Sequence, residues 1–133
     1  MKNEKLLDTF CLVRFFKAET GSERIKALLL SSRRAGTPLV MSEINAGELY
    51  YTIGRRMGLD KAEETLASLS TIPVTLVPTT WELTVAAARL KAQWALSYAD
   101  CFAAAVAMAR GATLVTGDPE FKRVEHLVSI EWV

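Results

Sequence analysis

The residues of this chain that could do chemistry are four carboxylates placed beside its apolar segments. Asp8 directly follows the first apolar run, Asp118 follows a later β-prone run, Asp100 opens another apolar run, and Glu48 lies on a predicted helix. If these groups converge, they repel and raise each other's pKa unless a cation lies among them. An oxygen-only cluster suits Mg²⁺ or Mn²⁺, and such an ion can activate water and stabilise charge on a phosphoryl oxygen. The acids therefore suggest metal-dependent phosphodiester chemistry.

A helix followed by a strand is expected to bring two of these acids together. Ser97 is a good helix N-cap, and Asp100 three residues later completes a capping pattern. Residues 101–109 are apolar on every face, which predicts a helix buried on all sides. A strand is predicted at 112–116, just before Asp118. If the helix packs antiparallel to the strand that it feeds, we expect Asp100 and Asp118 at the same edge of the sheet.

Helix and strand signals alternate along the rest of the chain. Strands are predicted at residues 5–7, 38–41, 72–77 and 129–133. Ser22, Asp60 and Thr80 are each predicted to cap a helix, and another helix is predicted to start at Ser42. Asp60 is expected to cap its helix, because Glu63 lies at the capping-box position. Alternating strands and helices predict right-handed crossovers and a parallel sheet covered on both faces. In such an α/β fold ligands bind beyond the carboxyl ends of the strands, which is where the acids are expected.

Length and composition favour one ordinary globular domain over residues 1–133. The formal net charge is +1, so any nucleic-acid contact must be local. The two cysteines lie in apolar surroundings and are expected to be buried thiols, and with a single histidine they cannot complete a four-ligand zinc site without carboxylates. No signal peptide and no segment of membrane-spanning length is recognised, so a cytoplasmic protein is expected.

Each acid also has a purely structural explanation. Asp8 could cap a helix, Asp100 fits a capping box, and Asp118 before a proline could start a turn. Glu48 shares a helical stripe that could simply face solvent. A functional site is favoured because all four acids are expected at one edge of the predicted sheet, and no other edge of that sheet is expected to carry such a group of acids.

Four segments in order resemble the PIN-domain family, and their size and spacing are most similar to the VapC-type toxins. They are LLDT at Leu6–Thr9, SEINAGELYY at Ser42–Tyr51, LSYADCFAAAVA at Leu96–Ala107, and LVTGDPEF at Leu114–Phe121. The resemblance covers nearly the whole chain. It implies an α/β/α sandwich around a central, mostly parallel sheet of four or five short strands. It also implies a Mg²⁺- or Mn²⁺-dependent ribonuclease site.

The resemblance places the family's catalytic and metal-binding acids on Asp8, Glu48, Asp100 and Asp118. Thr9 and Thr116 fall on supporting hydroxyl positions. Two features depart from the family pattern. Phe10 stands where many relatives carry a second small hydroxyl residue. Gly117 and Pro119 flank the fourth acid where more polar residues are common.

The leading hypothesis is a metal-dependent endoribonuclease that leaves a 5′-phosphate and a 3′-hydroxyl, as the toxin of a type II toxin–antitoxin pair. The alternative is a catalytically weak module with the same fold that binds nucleic acid or protein. A phosphoryl-transfer receiver domain fits less well, because it needs a second acid beside Asp8 or a late strand-end lysine. Binding RNA next to four acids requires positive charge on the rim, for which the candidates are Arg14, Lys17, Arg55, Arg56, Lys122 and Arg123.

Four large aromatic residues lie on predicted helices and are more than one small core needs. They are Tyr50, Tyr51, Trp81 and Trp94. Core packing is one explanation, and an interface is the other. With the resemblance added, we expect a homodimer whose surface groove also accepts a segment of an antitoxin.

Overall fold

A computed structural model describes residues 4–133, and its centre is a sheet of five parallel strands in the order β3-β2-β1-β4-β5. The strands are β1 (Lys5–Leu7), β2 (Leu39–Ser42), β3 (Val74–Val77), β4 (Thr113–Thr116) and β5 (Ile130–Trp132). Every pairing is parallel, with Leu6 of β1 opposite both Val40 of β2 and Leu114 of β4. The predicted α/β/α sandwich around a parallel sheet is therefore confirmed.

Six α-helices connect and cover the strands. They are α1 (Thr9–Phe16), α2 (Ser22–Ala35), α3 (Glu43–Met57), α4 (Leu59–Ser68), α5 (Trp81–Gln93) and α6 (Tyr98–Arg110). Two short 3₁₀ helices, Leu69–Thr71 and Pro119–Val124, follow α4 and β4. In the part of the chain that the structure describes, no helix is long and apolar enough to cross a membrane.

Two apolar cores lie on opposite faces of the sheet, because neighbouring strand residues point in opposite directions. Leu6 of β1 and Leu114 of β4 belong to the core with α5 and α6. The next residues along the same strands, Leu7 and Val115, belong to the core with α1, α2, α3 and α4. Strands buried on both faces read as continuous apolar runs, which is the pattern that the sequence shows at β1 and β4.

Hydroxyl side chains begin three of the helices, as expected from the sequence. Ser42, Thr80 and Ser97 each accept a hydrogen bond from a backbone N–H in the first turn of α3, α5 and α6. Such a cap satisfies one of the four unpaired N–H groups at a helix start and is worth about 1 kcal/mol. Because Ser97 fixes where α6 begins, it also fixes the height of Asp100 above the sheet edge.

Three helix predictions are wrong in detail. Asp60 does not cap α4, which begins one residue earlier at Leu59 after Gly58, so Asp60 lies inside the first turn. Ser22 is the first residue of α2, and the cap position before it is Gly21. Helix α6 is buried on all sides only from Cys101 to Ala107, and the side chains at 108 and 109 are exposed. The last turn of α6 therefore presents apolar side chains to solvent.

Candidate active site

A cavity of about 460 Å³ lies at the carboxyl edge of the sheet, where β1, β2 and β4 end. All four acids singled out from the sequence line it. Asp8 follows β1, Glu48 comes from α3, Asp100 from the first turn of α6, and Asp118 from the loop after β4. The convergence expected from chain order is thus present, although the residues come from positions up to 110 apart.

Asp8 is the most deeply buried of the four acids, with 1% of its surface exposed. Its Oδ1 accepts a hydrogen bond from the Cys11 backbone N–H at 3.0 Å and so caps α1. Its Oδ2 accepts one from the Thr116 hydroxyl at 2.5 Å. Burial raises the pKa of Asp8 to about 6, against the effect of these hydrogen bonds. Each oxygen keeps a second lone pair, so capping the helix does not prevent binding to a cation.

Asp100 and Asp118 lie close together with Glu120, which sequence reasoning did not single out. One carboxylate oxygen from each of the three acids lies within 4.8 Å of the other two. Burial, followed by the negative charges of Asp118, Asp8 and Glu48, raises the pKa of Asp100 to about 7. Asp118 caps the following 3₁₀ helix by accepting from the Glu120 backbone N–H at 2.9 Å. Asp118 is therefore a helix cap and a member of this cluster at the same time.

The Thr116 hydroxyl connects two of the acids. It donates to Asp8 and accepts from the backbone N–H of Asp118 at 3.0 Å. Thr116 is completely buried at the end of β4. A single rigid strand end therefore sets the distance between the acid after β1 and the acid after β4.

Asn45 forms a second connection, and sequence reasoning missed it. It is completely buried on α3, and its Nδ2 donates to the Thr9 hydroxyl and to the Ala99 carbonyl, both at 3.2 Å. The Thr9 hydroxyl in turn donates to the backbone carbonyl of Asn45 at 3.0 Å. Because Thr9 adjoins Asp8 and Ala99 adjoins Asp100, the Asn45 side-chain amide links the helices that carry three acids. The Asn45 Oδ1 has no hydrogen-bond partner among the described residues.

Glu48 is half-buried and lies one helical turn after Asn45 on α3. Its Oε2 accepts a hydrogen bond from the Tyr51 hydroxyl at 3.5 Å. The Arg55 guanidinium lies over the Tyr51 ring, 5.4 Å from its centroid. Glu48 is therefore more exposed to solvent than Asp8 and Asp100.

The donor set of this cavity fits a hard divalent cation. The candidate ligands are carboxylate oxygens, and within residues 4–133 none of the four acids forms an ion pair with a lysine or arginine. Buried like charges without a counter-ion are unfavourable, which agrees with the raised pKa values of Asp8 and Asp100. An all-oxygen cluster suits Mg²⁺ or Mn²⁺ and lacks the thiolate or imidazole ligands typical of zinc sites.

Only two of the six basic residues considered for the rim line the cavity, namely Arg14 and Arg56. Lys17 instead pairs with Glu19 at 3.3 Å, and Arg55 lies over Tyr51. The remaining two, at 122 and 123, are exposed on the 3₁₀ helix after β4 and do not line the cavity. Arg14 and Arg56 are therefore the two of these six residues that share the cavity with the acids.

The fold and the cavity together define an α/β sandwich with an acidic cleft at the carboxyl edge of its sheet. The chain belongs to the PIN domain family, whose sequence pattern it matches over residues 5–127. No curated protein matches the chain significantly in sequence.

Several solved structures share this fold. A chain of the DNA-bound VapBC from Salmonella typhimurium has a TM-score of 0.78 at 18% identity, with 98% of both chains covered. VapBC2 from Rickettsia felis, bound to a DNA fragment from its promoter, gives 0.74 at 21% identity, with 97% of this chain and 98% of that chain covered. Mycobacterium tuberculosis VapC20, a sarcin-ricin loop cleaving toxin, gives 0.67 at 19% identity, with 84% and 87% covered. At these sequence identities the similarity to the three structures is a similarity of fold.

Proposed function

We propose that the chain is a divalent-metal-dependent endoribonuclease and the toxin of a toxin–antitoxin pair. The observation that carries the proposal is the group of four acids in one cavity, none of which forms an ion pair with a lysine or arginine among the described residues. Membership of a nuclease family and the fold shared with VapC toxins support it. An RNA substrate and an antitoxin partner both imply a cytoplasmic site of action.

Asp8, Asp100 and Asp118 would hold Mg²⁺ or Mn²⁺, directly or through water, and Glu48 would complete the cluster. When bound, such an ion lowers the pKa of water and stabilises negative charge on a phosphoryl oxygen. The chain itself supplies rigid positioning. Thr116 fixes the Asp8 side chain relative to the Asp118 backbone by hydrogen bonds to both. The buried helix α6 positions Asp100 in its first turn.

Arg14 and Arg56 would bind phosphates of the RNA beside the scissile bond, because they are the rim cations that line the cavity. Replacing either by alanine should weaken RNA binding and reduce the slope of log affinity against log salt by about 0.7 per lost contact on a single strand. Lys122→Ala is the matched control, since Lys122 is exposed and does not line the cavity. An equal effect of all three substitutions would contradict this assignment.

The nuclease proposal is tested by incubating the protein with mixed RNAs and Mn²⁺ or Mg²⁺. We expect cleavage that EDTA abolishes and that Zn²⁺ does not restore. Asp100→Asn should abolish cleavage. Asp60→Asn is the matched control, because Asp60 also lies in the first turn of a helix but is exposed. Full activity of Asp100→Asn would refute the proposed site, and absence of cleavage by the parent with specific RNA binding would favour the binding-module alternative.

We also propose a homodimer. Of the four aromatics considered as interface residues, Tyr50 and Trp94 pack partly against the two cores. Trp81 is 75% exposed and Tyr51 49% exposed, so these two are available to a partner. Light scattering at high micromolar concentration should give the mass of a dimer, and Trp81→Ser should shift it toward the monomer. A strictly monomeric parent would contradict the dimer.

A further inference from the structure

One aromatic residue in the wall of the acidic cavity lies outside both apolar cores. Helix α1 carries three phenylalanines, and Phe15 and Phe16 pack against the core that α1 shares with α2 and α3. Phe10 is half-buried, belongs to neither core, and lines the cavity with the four acids. Metal binding does not require an aromatic ring two residues after Asp8.

Phe10 is held firmly on two sides. The Arg14 guanidinium lies over its ring, 4.6 Å from the centroid, one helical turn along α1. The ring edge occupies the space where a side chain at residue 117 would begin. A Cβ there would lie 2.8 Å from Phe10 Cζ and 2.8 Å from the Val133 carbonyl oxygen, so only glycine fits. The glycine just before Asp118 and the aromatic ring just after Asp8 are thus complementary.

The Phe10–Arg14 pair also separates two cavities. On one side is the acidic cavity, and on the other is a smaller cavity of about 210 Å³ whose lining includes Ile25, Gly117 and Val133. Phe10 and Arg14 line both. A nucleotide bound with its phosphate at the acids would therefore have its base beside an aromatic ring and a guanidinium. Unpaired RNA bases stack on these two kinds of group.

We propose that Phe10 and Arg14 form a stacking platform for the nucleobase next to the scissile phosphodiester, and that the substrate is therefore single-stranded at this position. The inference rests on the proposed ribonuclease function and adds a substrate contact to it. Arg14 would have a double role, because its guanidinium lies over the Phe10 ring and its charge would attract a phosphate in the same cavity. Stacking is tolerant of base identity, so the platform selects unpaired RNA more strongly than it selects a sequence.

The test measures binding of fluorescein-labelled oligoribonucleotides in EDTA, where cleavage is expected to stop. A set of oligonucleotides carries one abasic site at each position in turn. For the parent protein, one abasic position should weaken binding by about tenfold, since each stacked base contributes about 1–3 kcal/mol. Phe10→Leu should bind intact RNA about tenfold more weakly and should be insensitive to that abasic position.

Two variants separate stacking from packing. Phe10→Tyr keeps the ring, so its binding should be weakened by the same abasic position, and by about as much, as that of the parent. Phe16→Leu makes the same change on the same helix, but at a side chain that packs against the core and does not line the cavity, so it should lower thermal stability without changing which abasic position weakens binding. An abasic penalty that persists undiminished in Phe10→Leu would overturn the platform.

The outcomes also separate this inference from the nuclease proposal. A parent that cleaves RNA with Mn²⁺ but shows no sensitive abasic position would overturn the platform alone. A parent that neither binds nor cleaves RNA would overturn both.

Discussion

The Asp100→Asn substitution should stabilise the metal-free protein at alkaline pH, because it removes a charge that the fold keeps among other carboxylates. Burial and the neighbouring acids raise the pKa of Asp100 to about 7, whereas an unfolded chain gives about 3.9. The folded state therefore binds this proton more tightly than the unfolded state does. The stability that Asp100 contributes is complete below about pH 4 and is lost as the pH rises through about 7.

The size of the effect follows from the same difference in pKa. Each unit of pKa corresponds to about 1.4 kcal/mol, so ionisation of Asp100 lowers the free energy of unfolding above pH 7 by at most about 4 kcal/mol. Solvent in the cavity reduces this loss to roughly 2 kcal/mol. The substitution also removes a favourable negative charge from the first turn of α6, which offsets less than about 1 kcal/mol of the gain. The net gain of roughly 1 to 2 kcal/mol should raise the Tm by about 5 °C.

The assay is thermal unfolding in EDTA at pH 4.5 and at pH 8. Asp100→Asn should melt above the parent at pH 8 and near the parent at pH 4.5. Asp60→Asn is the control, because it removes an exposed acid from the first turn of α4 and should lower stability slightly at both pH values. If Asp100→Asn is less stable than the parent at pH 8, the Asp100 charge is not destabilising in the folded state, and Asp100 acts only as an acid at a helix start.

Three further predictions concern the groups that position the acids. Gly117→Ala should lower the Tm and the rate of cleavage, because the new Cβ collides with the Phe10 ring. Adding Phe10→Ala should restore part of the lost stability, and no recovery in the double variant would mean that the collision is with another group. Asn45→Leu should weaken Mn²⁺ binding by about tenfold or more in a calorimetric titration, whereas Ile53→Val, a core change on the same helix, should leave it unchanged. Asn45→Asp should lower the free energy of unfolding more than Asn45→Leu does, because it places an acceptor against the Ala99 carbonyl and buries a further carboxyl group beside the acids; equal melting temperatures would argue against the observed amide orientation.

The sequence predicts the fold well where local signals and topology agree. Alternating apolar runs and capped helices indicate the parallel sheet, and the helix signal at Ser97 correctly places Asp100 at the edge where Asp118 lies. Asp60 shows the limit of such signals. It fits a capping pattern with Glu63, but Gly58 ends α3 and α4 begins at Leu59. Asp60 is therefore the second residue of the helix and not its cap.

The parts of the site that sequence reasoning missed depend on contacts between distant residues. Asn45 contacts Thr9, 36 positions away, and Ala99, 54 positions away. No local pattern distinguishes it from any other polar residue on α3. Phe10 and Gly117 each stood out as departures from the family pattern. Only the structure shows that the ring of one occupies the space left by the other.

The proposed mechanism requires that the carboxylates of one cavity hold a divalent ion that drives RNA cleavage. It can be tested by titrating Mn²⁺ into the parent and into Asp118→Asn, with the binding isotherm and the rate of RNA cleavage recorded on the same samples. We expect parent cleavage to rise in proportion to bound Mn²⁺ and to leave 5′-phosphate ends, and we expect the variant to lose binding and cleavage together. Cleavage by the parent after exhaustive removal of metal, or unchanged Mn²⁺ binding and cleavage in Asp118→Asn, would contradict it.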